Sequence, residues 1–163
     1  MSEKPQTVPV RGGARTSARF CAVQALYAIE MTRASLSSVL SNTAQLMHDS
    51  DAVGHEVAHV APDTQMLADL VTGTLRHAGT IDAALDAVLP EKRRLSVLEA
   101  PLRALLRVAV YELLFAQSTP RPVVLSEYSG LSKAFCGDTL PKFIAGVLGN
   151  VALPPVQEDG SLV

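Results

Sequence analysis

Apolar residues in this chain return at three- and four-residue steps in one segment after another, and no run of strand-like alternation or Asn-Gly hairpin signal interrupts them. That spacing puts the apolar set on one face of a helix, so each segment must bury a stripe against another helix. Composition agrees: 22 Ala and 22 Leu stand against 3 Ile, 7 aromatic residues and no Trp, a balance that favours helix. At 163 residues, with 48% hydrophobic and 18% charged residues, the chain has the size of one domain and enough apolar surface to offset its ordering entropy. The fold class read from this is all-α, a bundle of about seven helices.

The segments place themselves. Ala14 to Met31 reads as an amphipathic helix, with Phe20, Val23, Leu26 and Ile29 on its apolar side and Arg15 and Arg19 one turn apart. Gly12 and Gly13 loosen the stretch before it, so residues 1–13 form a flexible basic arm carrying Arg11. Further helices are predicted over Leu36 to Met47, over Gln65 to His77 with helical order resuming at Asp63 or Thr64, and over Ile81 to Leu89 after a joint at Gly79 and Thr80. The most apolar helix runs from a Ser96 cap, or from nearer Ala100 because of Pro101, to about Gln117 and forms the core. Val123 to Phe135 follows a turn with Pro122 at its start, and a last helix with Pro141 near its beginning is capped by Asp138 or Thr139. Tyr111 and Phe135 are assigned to the core, and residues 153–163 to a disordered tail. The helical domain spans 14–152, with an acidic insert at about 41–63.

Net charge is only −2, which excludes a uniformly basic surface, but the charge is partitioned. Five basic groups lie before residue 34, residues 34 to 69 hold five acids and no Lys or Arg, and Glu91 to Arg107 turns basic again through Lys92, Arg93, Arg94, Arg103 and Arg107. The longest apolar stretch, Ala104 to Ala116, is broken by Arg107 and Glu112, well short of the roughly 20 uncharged residues of a membrane span. The opening residues lack the apolar run of a secretory signal, and Cys21 and Cys136 read as buried thiols, so a cytoplasmic protein is expected.

His55, Glu56, Val57, Ala58 and His59 spell H-E-x-x-H, which on a rigid helix holds zinc between two imidazoles with the glutamate as general base. Here the motif sits between Gly54 and Pro62 in the least regular stretch, and no histidine follows at metzincin spacing. A zinc metallohydrolase is therefore the secondary reading, and a surface loop with solvated histidines the plainer one. No nucleophile elbow, P-loop or dinucleotide fingerprint is present, which leaves a binding protein without enzymatic activity, metal or cofactor as the economical reading.

Arg15, Arg19, the run AlaValGlnAlaLeuTyr at 22–27, LeuArgValAlaValTyrGluLeuLeu at 106–114, SerGluTyr at 126–128, SerLysAlaPhe at 132–135 and LysPheIleAlaGlyValLeu at 142–148 together resemble the bacterial antitermination factors of the NusB family. The resemblance covers about Arg15 to Ala152. It also touches the NusB-like domain of some rRNA cytosine methyltransferases, whose catalytic half has no room here. What it implies is a bundle of two small helical subdomains that pairs with ribosomal protein NusE on single-stranded boxA RNA, joins the RNA polymerase antitermination complex and suppresses termination in rRNA operons. Homodimerisation and a protein-only helical adaptor remain open alternatives.

The resemblance implies RNA contact at Arg11, Arg15, Arg19, Tyr27, Lys142 and Phe143, and partner contact at Leu102, Arg103 and Glu127. Such readers pair cations for phosphates with planar side chains for splayed bases, whereas the bland reading makes Arg15 and Arg19 a solvated face and buries both rings. Glu112 and Glu127 are equally suited to holding neighbouring helices through Arg107 or backbone donors. Four positions depart from the family pattern: Thr16 and Ser17 replace arginines, Ala145 an amide, and Leu102 a glutamate.

Overall fold

The computed structural model describes residues 13–48, 60–116 and 118–153. Arg11, most of the arm and tail, and the His55, Glu56 and His59 motif lie outside the described residues. Among those described there are seven α-helices and no strand: α1 (Ala14–Thr32), α2 (Leu36–His48), α3 (Thr64–Arg76), α4 (Ala78–Val88), α5 (Ala100–Phe115), α6 (Arg121–Cys136) and α7 (Pro141–Asn150). Two single 3-10 turns, Glu91–Arg93 and Leu95–Val97, join α4 to α5.

Helices α1 to α3 pack on one another, α4 to α7 pack on one another, and contacts of α5 with α1 and α3 join the two groups. The reason is the composition of α5: eleven of its residues, from Leu102 to Leu114, are buried, far more than one stripe, so it needs neighbours on several sides. Small residues let α1 come close, with Ala18, Cys21, Ala22 and Val23 all fully buried.

Helix ends follow local chemistry where a side chain is in reach. Asp63 caps α3 by accepting from the Met66 N–H at 3.0 Å. Elsewhere the expected caps are corrected. Ser96 lies in the second 3-10 turn and does not cap α5, which begins at Ala100 with Pro101 in its first turn, the alternative start expected from that proline. Neither Asp138 nor Thr139 caps α7, which starts from Leu140 with Pro141 as its first residue, where a missing N–H costs nothing. Helix α4 begins at Ala78, three residues before the expected Ile81, because the Ile81 N–H already donates to the His77 carbonyl and takes Gly79 and Thr80 into the helix. Gly137, with φ +79°, ends α6 in a conformation that disfavours a Cβ.

Arg19 is the unexpected member of the core. It is 2% exposed, and its Nε donates to both Glu112 carboxylate oxygens at 3.1 and 3.0 Å while Nη2 donates to Oε1 at 2.6 Å. The Tyr128 hydroxyl donates to Oε2 of Glu112 at 2.6 Å, Glu127 lies 3.6 Å from Arg19 Nη1, and the Thr16 hydroxyl donates to Glu127 at 2.9 Å. One bidentate pair thus fastens α1 to α5, with α6 closing over it. Burial opposes the Arg19 charge, but the hydrogen bond and charge of Glu112 outweigh it and hold the guanidinium pKa above its usual value. Burial, with the Glu112 carboxylate beside it, pushes the Tyr128 hydroxyl well above the ordinary tyrosine range.

Close approach fixes a second junction. A Cβ on Gly73 would collide with the Tyr111 ring, whose hydroxyl donates to Asp69 at 3.2 Å, whereas one on Gly79 would meet open space. Gly73→Ala should therefore lower the unfolding free energy by about 1–2 kcal/mol, since overpacking exceeds the gain in helix propensity. Gly79→Ala should raise it by up to about 1 kcal/mol, as urea denaturation would measure. Arg19→Ala should cost about 3–5 kcal/mol by leaving Glu112 buried and unpaired, and adding Glu112→Ala should restore part of that loss in a double-mutant cycle.

Candidate nucleic-acid interface

The expected RNA contacts separate into three situations. Arg15 is exposed at the start of α1, where its Nη2 donates to the Thr119 hydroxyl at 3.3 Å. It lines an open cleft of about 340 Å³ between α1, α3 and the α5–α6 joint, shared with Asp63, Asp69 and Thr119. Its charge is available to solvent beside two carboxylates. Arg19, one turn on, is corrected: buried and neutralised by Glu112, it cannot meet a phosphate in this arrangement. Thr16 and Ser17, which replace arginines of the family pattern, are 7% and 2% exposed, so these positions face the fold here and suit short side chains.

Further along α1, Phe20 is buried and stacks on Phe135 of α6 with ring centroids 4.9 Å apart, which ties the middle of α1 to the end of α6. Tyr27, two turns beyond Phe20 on the same face, is 39% exposed and offers part of its ring to solvent. Lys142 is exposed at the start of α7, and Phe143 beside it is half-buried against the core. The Arg93 guanidinium lies over the Phe143 ring, 4.9 Å from its centroid. That contact was not legible in the sequence, where Lys92 to Arg94 registered only as part of a basic zone.

The expected partner residues also divide. Leu102 is corrected, since at 6% exposure it belongs to the core and offers no surface to a partner. Arg103 is half-buried, paired with Glu30 and donating to the Leu98 carbonyl at 2.6 Å, so its charge is held by α1 and the second 3-10 turn. Glu127 remains part-exposed while accepting from Thr16. Arg107 pairs with Asp82 at 2.8 Å and with Glu30, and Glu112 holds its neighbouring helix through Arg19, a partner other than the Arg107 or backbone donors considered for it. Arg121 donates to the Leu148, Gly149 and Val151 carbonyls and so closes the end of α7.

Tyr111 is buried as expected, and Phe135 is half-buried in its stack. Cys21 is buried as expected while Cys136 is only half-buried, and burial raises both thiols to about 11, which keeps them protonated near neutrality. Among the described residues no group of three His, Cys, Asp or Glu is arranged to hold a metal ion, and no helix is long and apolar enough to cross a membrane.

Known proteins bear on this surface. The sequence model of the NusB family matches residues 16–153. The transcription antitermination protein NusB of Maricaulis maris is 37% identical over 142 residues, covering 87% of this chain and 88% of that protein. The structure of T. maritima NusB superimposes with a TM-score of 0.69 at 26% identity, over 87% of this chain and 92% of that one. A chain in the crystal structure of antitermination factors NusB and NusE in complex with dsRNA has the same fold, with a TM-score of 0.68 at 22% identity over 83% of this chain and 93% of that chain. Sequence pattern and helical architecture agree along nearly the whole length, and the chain belongs to the NusB family.

Proposed function

We propose that this chain is a cytoplasmic, non-enzymatic transcription antitermination factor that binds single-stranded boxA-type RNA together with NusE and joins the antitermination complex on RNA polymerase in rRNA operons. Membership of a family whose relatives are named transcription antitermination proteins supports the role, and the related complex of NusB and NusE with dsRNA supports RNA and NusE as partners. The observation that carries the reading to particular residues is the exposure of Arg15, Tyr27 and Lys142, with half-buried Phe143 next to Lys142.

The chemistry is recognition. Arg15 and Lys142, and Arg11 of the arm, supply charge for phosphates, while Tyr27 supplies ring surface for an unstacked base and the half-buried Phe143 ring backs the site next to Lys142. Few cations take part, because Arg19, Arg103, Arg107 and Arg121 are spent inside the fold. Affinity for RNA alone is therefore modest and falls with salt, and NusE completes the surface. After the loss of Leu102, part-exposed Glu127 on α6 is the leading partner contact, and Arg103 on α5 offers only the part of its side chain left outside its pair with Glu30.

Titration of a fluorescent boxA-like RNA with and without NusE at several salt concentrations tests this. The expected result is a complex at low salt that tightens with NusE, and a loss of about tenfold or more in Arg15→Glu with Lys142→Glu at unchanged helicity. No RNA-dependent complex at low salt, or wild-type affinity in the double variant, would overturn the assignment.

A further inference from the structure

We infer that Arg93, held over the Phe143 ring, is itself a stacking plane for an RNA base, flanked by Lys92, Arg94 and Lys142 as phosphate contacts. The inference rests on the RNA-binding reading and assigns it a further site. Lys92, Arg93 and Arg94 are consecutive, exposed, and set on the 3-10 turn and its exit before α5. Among the described residues neither Lys92 nor Arg93 has a carboxylate partner. Arg94 meets Glu91 at 3.7 Å, but the two side chains are 65% and 88% exposed, so solvent screens that pair almost entirely. Arg19, Arg103, Arg107 and Arg121 are bound internally and Arg15, Arg33 and Arg76 are exposed one at a time, so this run is where three exposed cations stand consecutively.

Charge alone would make an undirected patch. What adds direction is Phe143: its ring is anchored against the core from α7, while Arg93 approaches from the α4–α5 connection, and α4 also packs against α7. A guanidinium settled over an aromatic face is weakly hydrated and keeps a flat outer surface, the geometry on which bases stack. With Arg93 covering it, Phe143 acts as support for that plane. An acidic protein segment would be satisfied by positive charge of any shape, whereas a base requires the plane.

The test uses the full chain with NusE and boxA-like single-stranded RNAs carrying 2-aminopurine at successive positions. Arg93→Ala should weaken RNA binding about tenfold or more, the loss expected for one base stack. Arg93→Lys, which keeps charge and loses the plane, should recover only a small, salt-sensitive part. Phe143→Leu should mimic the Arg93→Ala loss, and one 2-aminopurine position quenched by the wild type should brighten in Arg93→Lys. Arg76→Ala, at another exposed arginine, should leave affinity unchanged. Wild-type affinity in Arg93→Lys would overturn the stacking plane, and wild-type affinity in Arg93→Ala would remove the whole site. Loss of NusE binding without RNA in Arg93→Ala would give the patch to a protein partner and overturn the inference. Failure of the wild type to bind RNA would sink the RNA reading itself, a result distinguishable from the others.

Discussion

The contact on which the surface depends is the bidentate pair of Arg19 with Glu112. A carboxylate with essentially no exposed side chain is tolerable in a helical core only if strong donors face it, and here a guanidinium and the Tyr128 hydroxyl both do. Because α1 contributes the cation, α5 the anion and α6 the hydroxyl, that cluster sets how α1 lies on the other two. Everything α1 shows to solvent, from Arg15 at one end to Tyr27 three turns on, is oriented by it.

The same logic explains how a chain of net charge −2 presents basic surface. Arginines are divided between holding the fold and facing outward. Glu30 draws Arg103 and Arg107 onto α1, Asp82 ties Arg107 to α4, and the carbonyls at the end of α7 take Arg121. Among the described cations that stay outward are Arg15 at one end of α1, Arg93 over the Phe143 ring, and Lys92, Arg94 and Lys142 next to those two in sequence. A small number of well-placed cations gives weak binding alone and gives a partner protein something to complete.

The helices were legible because their signal is local: apolar residues three and four apart state which face is buried, whatever it packs against. Their beginnings were legible through proline and not through caps. Pro101 and Pro141 mark the starts of α5 and α7, whereas the nearby Ser96 and Asp138 that a capping rule selects do not cap them. Site residues were legible only as types. Arg15 and Arg19 share one basic stripe in the sequence, and the carboxylate that removes Arg19 from the surface is 93 residues away. Leu102 looked like a departure at a partner face, yet its side chain is core, as its apolar character indicates. The meeting of Arg93 with Phe143 joins a 3-10 turn to helix α7, segments that no periodicity connects.

The most direct measurement is photo-crosslinking of a boxA-type RNA carrying 4-thiouridine to the full chain in the presence of NusE, with the crosslinked peptides identified by mass spectrometry. The account predicts crosslinks at Tyr27 and around Lys142 and Phe143, and none at Arg19. Crosslinks confined to α3 and α4, or an Arg19 that reacts while Phe143 stays silent, would contradict it.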